Sequence, residues 1–346
     1  MKTRNQTLRV LPRLLLFSAL LGPLPLLVGC NNQPDSSEAM SHISRADTYA
    51  EQGQYRSALV EVRNAIQADP NNVSHIVRLA EIYQSIGAYE QASDLLEPWL
   101  SDHSENVALP LARAYVEQGK QLSALETLET FSADSSEAQL QAALIRAEAL
   151  RLAGEKAEAL ALFRNLTDSN GTNVSAIVGL ARSHLDLNQT SQAIQALDEW
   201  TTRNGQEPEV LYWKGVAQYR ENQLEAASAT LTDAVGVLPT SDVFLPIRRD
   251  ILSSLSRVLT EQGRITEAQV YNRILAENLN TGTKEQGEAA IAAIKDGNID
   301  EAKTILRDML KLDPDNEQVA LMLGALSAGT GELDEGTRLL TENLDP

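Results

Sequence analysis

Cysteine is almost absent: Cys30 is the only one in 346 residues. Internal disulfides are therefore excluded as a source of stability. Aromatic residues make up only 4% of the chain, so its core must be built from smaller side chains. There are four histidines, His42, His75, His103 and His184, and none has a second ligand four residues on. The chain also lacks a phosphate-binding glycine loop, a nucleophile elbow and a zinc-binding helix motif. No catalytic residue, metal site or cofactor is expected. Positive charge is in short supply, with 29 Lys and Arg against 48 Asp and Glu and a net charge of −19. Such a chain does not hold nucleic acid by bulk electrostatics, nor does it lie on an anionic lipid surface. The acids are interleaved with bases, as in Glu155-Lys156-Ala157-Glu158, which is the pattern of solvated helix faces.

What the chain does have is a repeat, readable nine times. A small residue recurs at Ala46, Ala80, Ala112, Ala147, Ala181, Gly215, Ser256, Ala290 and Gly324. Each is followed at a fixed distance by Gly53, Gly87, Gly119, Gly154, Asn188, Asn222, Gly263, Gly297 or Gly331. A second small residue comes next, at Ala58, Ala92, Ala124, Ala159, Ala193, Ala227, Ala268, Ala302 or Gly336. Two helices approach closely only where both carry small side chains. Between them the chain must turn sharply through a left-handed residue, which Gly adopts freely and Asn tolerates. The unit is thus predicted to be a helix–turn–helix hairpin and the array a solenoid. Apolar residues agree: Leu59, Val62 and Ile66 share one face of the second helix, which Asp69-Pro70-Asn71 then stops. Asp313-Pro314-Asp315-Asn316 plays the same part near the other end.

The motif Ala46-x2-Tyr49-x3-Gly53-x-Tyr55-x2-Ala58-x3-Val62-x2-Ala65-x4-Pro70 resembles a tetratricopeptide repeat, and Ala80, Tyr83, Gly87, Tyr89, Ala92 and Leu96 follow it in register. The resemblance covers residues 39–346 and implies an all-α, right-handed superhelical solenoid of about nine repeats. Arg45 and Arg146 depart from it where the family has Leu, as do Trp99 and Trp200 where it prefers a small residue. Two irregularities stand out. Pro110 falls near the start of the third unit's first helix and predicts that this helix begins late. Seven extra residues precede the seventh unit. Either they lengthen its first helix, or Pro246 starts that helix and leaves Phe244 and Leu245 on a loop. Those two residues then fold back on the adjacent hairpin or form a secondary contact with a partner.

Residues 1–29 are a separate object. Lys2, Arg4, Arg9 and Arg13 precede an apolar stretch at 14–27, broken by Gly22, Pro23 and Pro25 and too short for a membrane span. It ends in Leu27-Val28-Gly29-Cys30, which resembles a bacterial lipobox. The resemblance implies cleavage before Cys30 and acylation of that residue, with several acyl chains giving a stable anchor. Asn31, in place of Asp, implies the outer membrane, with the chain facing the periplasm. Residues 30–38 read as a short tether spanning roughly 15 Å.

Family resemblance also places the inner-groove positions. In the sixth unit they include Tyr212, Val216 and Tyr219, and in other units Arg113, Arg182 and Arg257. Tyr offers contact area at little entropic cost and Arg pairs with carboxylates. The expected ligand is a peptide segment of an envelope protein, or alternatively an acidic polysaccharide. Membrane contact is expected only through the lipid. The expected role is a non-enzymatic lipoprotein scaffold in envelope assembly, secretion or exopolysaccharide export, the alternative being a glycan-binding module that guides a secreted polysaccharide. Leader, tether and array also resemble the tetratricopeptide lipoproteins of exosortase-linked exopolysaccharide systems.

Overall fold

A computed structural model describes residues 36–132, 135–295, 297–312 and 317–344. The leader, Cys30, Asn31 and the stop at Asp313-Pro314-Asp315-Asn316 lie outside the described residues. The described residues form seventeen α-helices and no strand. The first six units are helix pairs: α1 (Ser36–Glu51) with α2 (Tyr55–Ala68), α3 (Val73–Ser85) with α4 (Tyr89–Leu96), and α5 (Ser104–Glu117) with α6 (Gln121–Glu129). Next come α7 (Ser136–Ala153) with α8 (Lys156–Ser169), α9 (Val174–Asp186) with α10 (Thr190–Asn204), and α11 (Pro208–Arg220) with α12 (Leu224–Gly236). The remainder are α13 (Pro246–Glu261), α14 (Ile265–Lys295), α15 (Ile299–Leu312), α16 (Glu317–Gly329) and α17 (Leu333–Leu344). Each helix packs mainly on its neighbours in sequence, as a solenoid requires. Helix α1 starts at Ser36, inside the stretch read as tether.

The repeat positions do what their chemistry demands. All nine turn residues have positive φ, from +57° at Asn188 to +92° at Gly331. At each, the next amide reaches back five residues, as Gln54 N does to Tyr49 O at 2.8 Å and Gln223 N to Gln218 O at 2.9 Å. This is the six-to-one bond of a helix ending on a left-handed residue. Both sets of small residues are buried. A Cβ added to Gly215 would lie 2.6 Å from Leu231, and one on Gly336 would lie 2.7 Å from the backbone of Ala328. Between units, side-chain caps at Asn72, Ser135 and Asn173 restart the chain, as do prolines at the first positions of α11 and α13.

Three expectations need correction. Pro110 does not delay its helix: α5 begins at Ser104 and Pro110 lies inside it. The carbonyl of Pro110 instead accepts from Gln84 Nε2 at 2.7 Å, a bond between units. The seventh and eighth units are not separate hairpins, because α14 runs unbroken for 31 residues and serves both. Residues 275–288 contain no proline, and a glycine alone costs a helix only about 1 kcal/mol. Trp99 is expected from the sequence on the second helix of its unit, but Pro98 ends α4 and tightens Glu97–Trp99 into a 3-10 turn, so Trp99 lies beyond α4. Trp99 packs half-buried against the core of the second and third units, while Trp200 on α10 is buried at 4% exposure.

The insertion before the seventh unit forms a loop, and Pro246 starts α13. Leu245 is buried and Phe244 half-buried. The loop does not turn back on the adjacent hairpin alone. Its residue Asp242 bonds to Gly53, Tyr55 and Arg56 of the first unit.

Candidate partner-binding groove

The residue following the first small position, which the family resemblance assigns to the groove side, is Asp47, Glu81, Arg113, Glu148, Arg182, Val216 or Arg257 in successive units. In the middle units these side chains are tied to one another. Glu148 accepts from Arg182 at 2.9 Å and from Arg151 at 2.8 Å. Arg151 also bonds Asp186 at 2.6 Å, and Lys156 Nζ donates to the carbonyl of Asp186 at 2.9 Å. Burial opposes the charge on Arg151, yet its bonds to Glu148 and Asp186 outweigh it and raise its pKa. The Arg182 guanidinium also lies 4.9 Å from the ring centre of Trp213. A continuous charged chain thus links α7, α9 and α11.

Enclosure is felt here. Glu117 and Glu209 keep much of their own surface open to water, but protein surrounds them on several sides. Desolvation raises both above the ordinary carboxylate range. Glu148 adds to that rise at Glu117 while Arg182, Arg113 and Arg151 oppose it. At Glu209 the charges of Glu117 and Glu148 add to the rise and Arg182 opposes it. Residues from the third to the sixth unit therefore share one electrostatic environment across the inner face.

Of the residues singled out in the sequence, Arg182 and Tyr212 converge on Trp213, with the two rings of Tyr212 and Trp213 5.1 Å apart, edge on. Desolvation raises the pKa of Tyr212, and Ser254 of α13 opposes that rise. Tyr219 donates to Glu261. Both tyrosines pack on the core cluster of the sixth and seventh units, and Val216 packs on that of the fourth to sixth. Arg113 bonds Gln141 at 2.6 Å, away from that group, and Arg257 is exposed. The six residues form no single cluster.

A separate hollow lies among the first helices of the first three units. It holds about 450 Å³ between α1, α3 and α5. Met40, Ile43 and Val77 supply its apolar wall, and Met40 is 68% exposed. Arg78 stands at the rim between Asp47 at 2.7 Å and Glu81 at 3.0 Å. His75 lines the hollow with 6% exposure, and its Nε2 has no hydrogen-bond partner. Sequence reasoning missed this hollow, although a signal was present: the inward positions here carry Met40, Ser44 and Ser74, which are flexible or small. Among the described residues no group of three or more His, Cys, Asp or Glu could hold a metal. No helix among them is long and apolar enough to cross a membrane.

Two family models, both described as tetratricopeptide repeat, match this chain. One matches residues 49–106, 150–212 and 293–342, and the other 109–173. No curated protein matches the sequence. Among solved structures, the chain is similar to one in the crystal structure of the APC/C hetero-tetramer Cut9-Hcn1, at 15% identity and a TM-score of 0.51, over 82% of this chain and 55% of that one. It spans only about half of that structure's length. A tetratricopeptide repeat protein from Parabacteroides merdae is similar over 84% of this chain and 99% of its own, at 13% identity and a TM-score of 0.46. Repeats of this kind serve as protein-interaction scaffolds and are generally non-catalytic. Turn geometry, buried small residues and both family models agree, and the chain belongs to the tetratricopeptide repeat family.

Proposed function

We propose that this chain is a lipid-anchored, non-enzymatic scaffold of the cell envelope that holds extended segments of other proteins on its inner face. The observation that carries the reading is the hollow in the first three units. It combines an exposed apolar anchor point, Met40, with an unsatisfied buried imidazole nitrogen and a charged rim. An extended segment with one apolar side chain and a backbone or polar group for His75 fits those features. The leader ending at Cys30 supports an acyl anchor, and Asn31 supports the outer membrane and a periplasmic orientation. The residues of the middle units, Arg113, Arg182, Tyr212, Val216, Tyr219 and Arg257, would then extend the surface beyond the anchor point.

A polysaccharide ligand is the second reading. Sugar rings favour open aromatic faces, and Trp213 has Arg182 over its ring and Tyr212 at its edge. That leaves the protein segment as the better-supported ligand. The test is co-purification from membranes with Val77→Asp, which puts a charge in the apolar wall. Loss of a protein partner with the chain still folded supports the reading. Undiminished recovery of all partners would remove the hollow from the site.

A further inference from the structure

One contact joins the first two units to the seventh, and nothing in the repeat pattern requires it. Residues 239–246, between α12 and α13, lie against the turns of units one and two. The amide of Asp242 donates to the carbonyl of Gly53 at 3.0 Å. The Asp242 carboxylate accepts from the amides of Tyr55 at 2.9 Å and Arg56 at 3.3 Å. Those amides open α2, whose own preceding residue, Gln54, makes no side-chain cap. Asp242 therefore caps a helix 187 residues away in sequence, supplying both the acceptor and the negative charge that a helix start favours. A second point of contact lies one unit on, where a Cβ at Gly87 would be 2.5 Å from Pro246 Cγ. At Gly53 a Cβ would be 2.1 Å from the carbonyl oxygen of Thr240. The turn glycines at 119, 154, 263, 297 and 331 have nothing within 4 Å, so the tight approach is confined to the two turns that this segment touches.

The contact has a consequence for the groove. Tyr89, at the start of α4, is pushed up to about 12 by desolvation, with Glu117 and then Asp250 of α13 adding to the rise. With the approach of Pro246 to Gly87, this places the start of the seventh unit beside the second. We propose that residues 239–246 are a clasp: docked, they close units one to seven into a ring around the inner face, and released, they open that face sideways to a protein segment. This rests on the reading of the inner face as the binding surface. The clasp is held by three hydrogen bonds and by a proline seated on a glycine turn. Every hairpin keeps its own neighbours when the clasp lifts, so opening does not require a unit to unfold.

The test compares Gly53→Ala with Gly119→Ala in the full chain. The two glycines carry the same left-handed strain, with φ of +73° and +71°, but only Gly53 faces the clasp. Hydrogen exchange is read at the amide of Asp242 and across residues 240–246, far in sequence from either substitution. Gly53→Ala should speed that exchange by about five- to tenfold, the scale of a lost helix cap, and Gly119→Ala should leave it unchanged. Asp242→Ala, which alters no turn residue and removes only the carboxylate, should likewise speed exchange at Tyr55 and Arg56. Equal exchange at 240–246 in the two glycine variants would overturn the clasp. A peptide selected on the full chain from a random displayed library then reports access. Its association rate should rise severalfold in Gly53→Ala. An unchanged rate with a loosened clasp would overturn gating while leaving the inner-face reading intact. If no peptide binds any variant although Gly53→Ala still loosens residues 240–246, the inner-face reading falls and gating falls with it.

Discussion

Replacing Gly215 by alanine sets two effects against each other. In an isolated helix, alanine is better than glycine by about 1 kcal/mol. Gly215 lies within α11 where it meets α12, and a Cβ there would stand 2.6 Å from Leu231 Cγ and 2.8 Å from its Cδ2. Carbon atoms rest about 3.5–4.0 Å apart, so Leu231 would have to retreat by roughly 1 Å. Leu231 is fully buried among Ala227, Leu255 and Val258, and it has no solvent to move into. Overpacking of this kind costs about 1–3 kcal/mol. The packing cost should win, leaving a net loss of up to about 2 kcal/mol concentrated in the sixth unit. Gly236→Ala is the control. It lies at the end of α12 with nothing within 4 Å, so only the helix preference remains and stability should hold or rise. Native-state hydrogen exchange on α11 and α12 measures both. Equal or greater protection in Gly215→Ala than in the unaltered chain would refute the claim that close helix approach at the small positions organises the unit.

Acid should act unevenly. Glu335 is bonded by Arg307 and by Ser327 at 2.7 Å, and its pKa is lowered to about 2. A lowered carboxyl contributes stability that is complete above its unfolded value near 4.5 and is lost as pH falls through about 2. Glu117 and Glu209 are raised, so their protonation on acidification relieves rather than costs the middle units. Between pH 4.5 and 2 hydrogen exchange should therefore accelerate first in α16 and α17, and Glu335→Gln should remove that pH dependence. Arg151→Ala would strand the Asp186 carboxylate and leave Glu148 with Arg182 alone, and should cost about 2–3 kcal/mol, less than the 3–5 of a fully buried pair because Glu148 keeps that partner and Asp186 is partly solvated. Chemical denaturation followed by circular dichroism reads that loss. Cys30→Ser should move the chain from the membrane to the soluble fraction, and mass spectrometry should find the unaltered mature chain beginning at Cys30.

The turns were legible because one conformation admits few residues. Gly or Asn at nine spaced positions predicted nine left-handed turns, and φ is positive at each of them. The small residues were legible for the same reason, since close approach leaves no alternative. Pro110 was misread because position in the unit was taken as position in the helix, and α5 starts earlier than that assumption allowed. The fusion in α14 has no such signal, because the junctions at 130–135 and 170–173 also lack proline and still break. For the groove, family resemblance supplied the rows expected to face inward, but it carries no information on how their charges pair. Glu148 and Arg182 hold the same place in adjacent units, so their pairing could have been read from Ala147-Glu148 and Ala181-Arg182. The docking of Asp242 on α2 could not. It depends on the accumulated twist of six units, a quantity that no local pattern carries.

The central claim is that the inner face is where this protein meets its partners. Site-specific photo-crosslinking in living cells tests it most directly. A photoreactive side chain at Met40, exposed at the hollow, is compared with one at Val60, 53% exposed on the second helix of the same unit. The account predicts discrete, protease-sensitive adducts from position 40 and none from position 60. Adducts from position 60 with none from position 40 would contradict it.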